Sequence, residues 1–345
     1  MIKGCDFHPS WQQVSWLDTG TGECGERKLV DANGDAKVFY QQLVAPVLIG
    51  MEATGNSQWF VELVEDLGHE IWIGDAAQIR ASYVRRQKTD KRDAAHILKL
   101  VVEGRFPKLW TPDREQRDLR QLVLHRHKLV EIRSQVKNEL QHLSMNKGMQ
   151  KKRTLWSQAG MQMLRELPLK PWASCRREDL LGLLGMLNQQ VGTLDAAVQK
   201  AAEENPQARL LMTEPGVGPN TALAFVLTIG DVSRFPRGKQ VASYLGLIPR
   251  EESSGGRQKL GAISKQGNCL LRSLLVEAAQ IAVRFDPGYR KQYLHRCHQK
   301  PKGVAKVAAA RKLAVRLYWM LRTQVGYPEI VRIESSPRVP LVGAS

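Results

Sequence analysis

Residues 47–55, VLIGMEATG, form an apolar run that ends on a carboxylate. The length and composition of the run suit a strand buried on both faces, and the Ala-Thr-Gly after Glu52 supplies a turn. A carboxylate at the end of a buried strand is costly unless a partner offsets it. The bland partner is a surface arginine. On either side of it, shorter β-like runs occupy residues 2–7, 13–17, 28–30 and 70–74, and amphipathic helix patterns cover 36–43 and 58–67. A further helix is expected from Asp90 to Val102. Three early strands, a helix, then strands alternating with helices make a mixed α/β sheet. That order is compatible with an RNase H-like fold, although other α/β folds share parts of it.

Three more carboxylates fall where such a sheet could gather them. Asp6 closes the first strand, in KGCDFH, and Asp90 and Asp93 stand three apart in KTDKRDAAHI. On a helix, that spacing puts both on one face. Each has an ordinary alternative: Asp6 as a turn cap, Asp90 as a helix N-cap, Asp93 paired with Lys91 or Arg92. Together they would repel one another unless a hard divalent cation held them. Mg²⁺ takes oxygen ligands in octahedral geometry. A pair of such ions about 4 Å apart can activate a nucleophile and stabilise a leaving oxygen at phosphorus.

The chain has 345 residues and a formal net charge of +17. The first 105 residues carry a net −3, with 12 Lys/Arg against 15 Asp/Glu, and the other 240 carry +20. A basic excess confined to two-thirds of a chain fits a polyanion partner, nucleic acid above all. Five cysteines, none in a C-x-x-C pair, argue against a disulfide framework or a zinc ribbon and suit a reducing cytosol. The start MIKGCDFHPSWQQ carries no apolar signal segment, and the longest apolar run, 43–51, contains Pro46 and is too short to span a bilayer. The expectation is a cytoplasmic protein with no membrane partner.

Beyond residue 105 the pattern turns helical. Residues 113–145 read as one long helix, with Leu119, Leu122, Leu129, Ile132, Val136, Leu140 and Leu143 along a coiled-coil-like seam. This helix can dimerise or pack on its own chain. A second helical stretch covers 176–204. In the next region, Pro215-Gly216-Val217-Gly218 followed by Ala222 fits a helix-hairpin-helix turn, where Gly216 and Gly218 could offer backbone N–H groups to a phosphate. The alternative is a structural turn with no ligand. ASYLGLIPRE reads as helix and SSGGRQKLGAISKQGN as a polar glycine loop. From composition alone the Ser253-Ser254-Gly255-Gly256 step is a flexible linker, although Arg250, Arg257, Lys259 and Lys265 nearby could neutralise a phosphate. Between Pro287 and Pro328 stand ten Lys/Arg and no Asp/Glu, and Arg272 precedes them. The resulting domain division is 1–105, an α/β catalytic domain; 106–205, a helical region; 206–327, a C-terminal domain with the hairpin turn and serine loop; and 328–345, a poorly ordered tail.

The motifs GCDFH, GMEATG, KTDKRDA, PGVGP, YLGLIPRE, SSGG and ISKQGNCLLR resemble those of the DEDD-type transposases of bacterial insertion sequences, to which the Piv-type DNA invertases are related. The resemblance covers about residues 2–104 and 207–280. Where many relatives carry Ile-Asp-Val, this chain has Cys5-Asp6-Phe7-His8. The resemblance implies a RuvC-like N-terminal domain whose four acidic positions are Asp6, Glu52, Asp90 and Asp93, holding Mg²⁺ or Mn²⁺. It implies a nucleophilic serine before the glycine of SSGG, hence Ser254, with Ser253 one register away. It further implies donor and target DNA, a structured bridge RNA as guide, a homodimer or homotetramer, and action at the bacterial nucleoid. Two other functions fit the residues: a site-specific DNA invertase of the same superfamily, and a RuvC-like metal-dependent nuclease that needs the carboxylates alone.

Overall fold

The computed structural model describes residues 1–44, 46–83, 89–149, 154–253, 257 and 259–335, in two compact units, Met1–Thr111 and Pro112–Ser345. The first unit is built on a five-stranded sheet of order β3-β2-β1-β4-β5. β1 (Ile2–His8), β2 (Trp11–Leu17) and β3 (Cys24–Val30) are an antiparallel meander, and β4 (Leu48–Glu52) and β5 (Glu70–Gly74) run parallel to β1. This is the RNase H-like arrangement. β1 reaches two residues beyond Asp6, because His8 still pairs with Trp11.

Side chains alternate across the sheet. Cys5, Phe7, Val14, Ile49 and Met51 face one core, closed by α1 (Asp35–Gln41) and α2 (Gln58–Asp66) through Tyr40, Phe60 and Val64. The other face receives α3 (Ala76–Ala81) and α4 (Asp90–Val102), with Ile79, Ile97, Leu100, Val101 and Phe106 in a smaller core. Two glycines set how closely α4 lies. Gly4 and Gly50 pair across β1 and β4. A Cβ on Gly4 would strike the backbone of Ala94 and come within 2.9 Å of Leu98 Cα, and one on Gly50 would lie 2.6 Å from Val101 Cγ2. The glycines thus cut a trough in the sheet that seats the helix backbone.

In the second unit, the 32-residue α5 (Arg114–Met145) and the 34-residue α7 (Pro171–Glu204) form an antiparallel pair, with α6 (Gln158–Glu166) packed on it. Arg126 to Asp195 (2.8 Å) and Arg176 to Glu139 (2.9 Å) fix that direction, since later residues of α5 meet earlier ones of α7. The seam of α5 is therefore covered by its own chain: Val136 and Leu140 pack with Leu164, Leu184 and Leu187. α7 starts five residues earlier than expected, at Pro171, whose missing N–H costs nothing at a helix N-terminus.

The largest core gathers α8 (Pro206–Leu211), α9 (Pro219–Ile229), α10 (Gly238–Tyr244), α11 (Cys269–Phe285), α12 (Pro287–Gln299), α13 (Lys302–Thr323) and α14 (Tyr327–Ser335). In its interior Arg316 bridges Glu214 (3.0 Å) and Asp286 (2.9 Å), all three buried. Two expectations need correction. ASYLGLIPRE is not one helix: α10 ends at Tyr244, Gly246 turns with φ 65°, and β6 (Pro249–Glu251) pairs with β7 (Leu260–Ile263). Part of the polar glycine loop is thus a strand. The chain from Pro328, expected to be poorly ordered, continues as α14, because Ile330 is buried in the core; residues 336–345 lie outside those described. Among the described residues no helix is long and apolar enough to cross a membrane.

Candidate functional site

Strand alternation puts Asp6 on the face of β1 that Gly4 opens to α4. Thr89, not Asp90, caps α4, accepting from the Arg92 N–H. Asp90 is therefore the first helical residue, and Asp93, one turn on, is buried beside the sheet. Burial pushes the Asp6 carboxyl above the ordinary carboxylate range; His8 pulls it back, and the charges of Asp93 and Asp90 push it further up. Ligand atoms of Asp6, His8 and Asp90 lie within 4.8 Å of one another. A buried carboxyl whose ionisation two neighbouring carboxylates oppose is a donor that a divalent cation would relieve.

Glu52 ends β4, adjacent to β1, and its Oε1 accepts from Arg80 Nη2 at 3.3 Å. The surface-arginine partner thus exists, but Arg80 is largely exposed and the pair is open to exchange. Tyr83 bonds one of the carboxylates. Its hydroxyl donates to Asp93 Oδ1 at 2.7 Å, and burial, Asp93, Asp6 and Glu52 all hold its phenol neutral. The Tyr83 ring stacks on His96 at 4.1 Å, and His96 Nε2 bonds Ser82 Oγ at 2.8 Å.

His8 and Tyr83 do not stand out in the sequence. His8 has a usable signal, its two-residue spacing from Asp6 on a strand that continues. Tyr83 has none, since its surroundings in the chain carry no periodic pattern.

Ser254, Gly255 and Gly256 lie outside the described residues. Ser253 leads out of β6. Its hydroxyl donates to Glu251 Oε1 at 2.7 Å and accepts from the Lys259 N–H at 3.2 Å. Arg250, Arg257, Lys259 and Lys265 are exposed on or beside this hairpin. Arg272 is committed otherwise: its Nη1 donates to the carbonyls of Leu245, Gln266 and Gly267, so it holds the turn that follows α10. Gly216 has φ 88°, and a Cβ there would lie 2.5 Å from the Ala278 carbonyl, which accounts for that glycine without a ligand. Gly218 is exposed at the start of α9.

Comparison with known proteins gives matching families in both units. A model described as transposase, of the DEDD type of IS110 elements, matches residues 21–144, and one described as "Transposase IS116/IS110/IS902 family" matches 208–294. The first match includes Glu52, Asp90 and Asp93 and begins after Asp6. A probable family 20 transposase of Pseudomonas aeruginosa is 31% identical, over 92% of this chain and 95% of its own length. The transposase for insertion sequence element IS1111A of Coxiella burnetii is 27% identical, over 82% and 78%. The pilin gene-inverting protein of Moraxella bovis is 28% identical, over 69% and 67%.

Proposed function

The chain belongs to the IS116/IS110/IS902 family of transposases, and on that premise we propose that it cuts and rejoins DNA with two chemical centres, a divalent-metal site on Asp6, Glu52, Asp90 and Asp93 and a serine nucleophile at Ser254. The observation that carries the first is the approach of the Asp6 and Asp90 ligand atoms to within 4.8 Å, with the charges of Asp93 and Asp90 both opposing ionisation of Asp6. Mg²⁺ or Mn²⁺ bound there would supply Lewis acidity at phosphorus. The residues do the rest. Tyr83 holds Asp93 in one rotamer, and the glycine trough keeps Asp90 and Asp93 against β1.

The serine step forms a bond from Oγ to phosphorus and breaks the bond to one ribose oxygen, which leaves as a hydroxyl carrying the proton. The phosphodiester energy is kept in the protein–DNA ester, so rejoining needs no separate ligase. Support for Ser254 comes from the SSGG motif in the connection from β6 to β7 and from the basic residues Arg250, Arg257, Lys259 and Lys265 around it. Donor and target DNA are the substrates, and the basic helices α12 and α13 suit nucleic-acid phosphates, including those of a structured guide RNA. Assembly as a dimer or tetramer would bring two DNA ends together.

Ser254→Ala should abolish covalent protein–DNA adducts on denaturing gels while leaving DNA retention intact. Normal excision by that variant would end the role of the serine. A chain truncated near residue 205 separates this reading from a plain RuvC-like nuclease, which would keep Mg²⁺-dependent cutting. A second reading, inversion of a DNA segment, draws on the likeness to the pilin gene-inverting protein. It uses the same two centres and differs in how the ends are rejoined.

A further inference from the structure

We propose that His8 is a nitrogen ligand of the carboxylate site and that it makes this site take Mn²⁺ in preference to Mg²⁺. The inference rests on the metal reading of Asp6, Glu52, Asp90 and Asp93 and assigns a fifth side chain to it. β1 keeps its pairing through His8 and Trp11, so Asp6 and His8, two residues apart, face the same side of the sheet. His8 Nε2 lies 3.3 Å from Asp6 Oδ2, and ligand atoms of His8, Asp6 and Asp90 share a sphere of mutual distances within 4.8 Å. The ring is already held in that direction. It stacks on Trp11, centroids 4.0 Å apart and planes 22° from parallel, and the Lys28 ammonium lies 4.2 Å from the Trp11 centroid. The His8 side chain is 40% exposed, and its stack on Trp11 and bond to Asp6 favour the orientation toward the acids.

The consequence follows from ligand chemistry. Mg²⁺ selects oxygen donors and sheds water reluctantly, and carboxylates alone suit it. Imidazole nitrogen favours first-row transition ions, and Mn²⁺ accepts it within an octahedral, carboxylate-rich set. A purely structural His8, stacked on Trp11 and bonded to Asp6, would leave the choice of ion unaffected.

The test uses the full-length protein, titrated with Mn²⁺ by electron paramagnetic resonance and with Mg²⁺ by competition. The wild type should bind Mn²⁺ more tightly and show nitrogen hyperfine coupling to the bound Mn²⁺. His8→Ala should weaken Mn²⁺ by about tenfold or more, change Mg²⁺ by less than about threefold, and lose the nitrogen coupling. His8→Gln, with a hard amide oxygen, should keep Mg²⁺ and lose the Mn²⁺ preference. Unchanged Mn²⁺ binding and coupling in both variants, or equal losses for both ions, would overturn the role of His8. Asp6→Asn separates the two levels. If it leaves Mn²⁺ bound as in the wild type, or if the wild type binds neither ion, the carboxylate reading fails and His8 with it. If Asp6→Asn abolishes binding while the His8 variants match the wild type, only the assignment of His8 fails.

Discussion

Among single residues of the first unit, the half-buried Tyr83 and the buried Lys3 have opposite consequences. Tyr83 serves the acids: its hydroxyl satisfies one oxygen of Asp93, and its ring is braced by His96. Tyr83→Phe should leave the melting temperature within a few degrees and lower strand cutting by about tenfold, the scale expected when a hydrogen bond that orients a metal ligand is removed. A rate equal to the wild type in a cleavage assay would remove Tyr83 from the site. Lys3 lies on the opposite sheet face, 1% exposed, with its ammonium 4.6 Å from the Phe39 centroid and 4.9 Å from that of Trp16. Burial pulls its pKa from 10.5 down to about 8, so the fold favours the neutral amine. Stability is therefore lowest below pH 8, where the ammonium is charged in both states, and rises as pH climbs from about 8 to 10.5. The cation–π contacts offset part of this cost. Lys3→Met should stabilise the protein by about 1–3 kcal/mol at pH 7, and the gain should shrink towards pH 10. Denaturant melts at both pH values check it; destabilisation at pH 7 would mean that the two rings more than offset burial.

At the scale of elements, α4 is where sequence and site meet. Its glycine trough makes a specific demand: Gly4→Ala should destabilise the protein by about 1–3 kcal/mol, because the new methyl meets helix backbone and α4 must shift as a body. The same shift should weaken divalent-metal binding; a variant with wild-type metal affinity would show that the trough does not position the acids. The strands and long helices are legible from apolar periodicity, and Glu52, Asp90 and Asp93 are legible as oddities in that pattern. Other features are not. Gly246 breaks ASYLGLIPRE because the backbone of Gln266 passes against it, an approach from twenty residues away that no local pattern records. The tail from Pro328 has a disorder-like composition, yet Ile330 finds a core built by distant helices. That α5 packs against α6 and α7 of its own chain cannot be read from its own seam.

At the scale of the whole molecule, the charge division is the organising fact: the first 105 residues, which hold the acids, carry a net −3, and the remaining 240 carry +20. On the proposed reading, metal chemistry and polyanion holding would fall to different parts of one chain. Replacing the exposed Lys300, Lys302 and Lys306 by Gln should weaken DNA binding and lower the slope of affinity against salt by roughly one for each phosphate no longer neutralised. A slope unchanged in a salt titration would place the DNA elsewhere. If the four carboxylates perform the strand chemistry, excision of a donor DNA carrying the gene's own flanking sequence depends on each of them. Asp6→Asn, Glu52→Gln, Asp90→Asn and Asp93→Asn, assayed separately, should each lower excision by roughly a hundredfold or more with folding and DNA retention unchanged. Wild-type excision by any folded member of the four would exclude that residue from the strand chemistry.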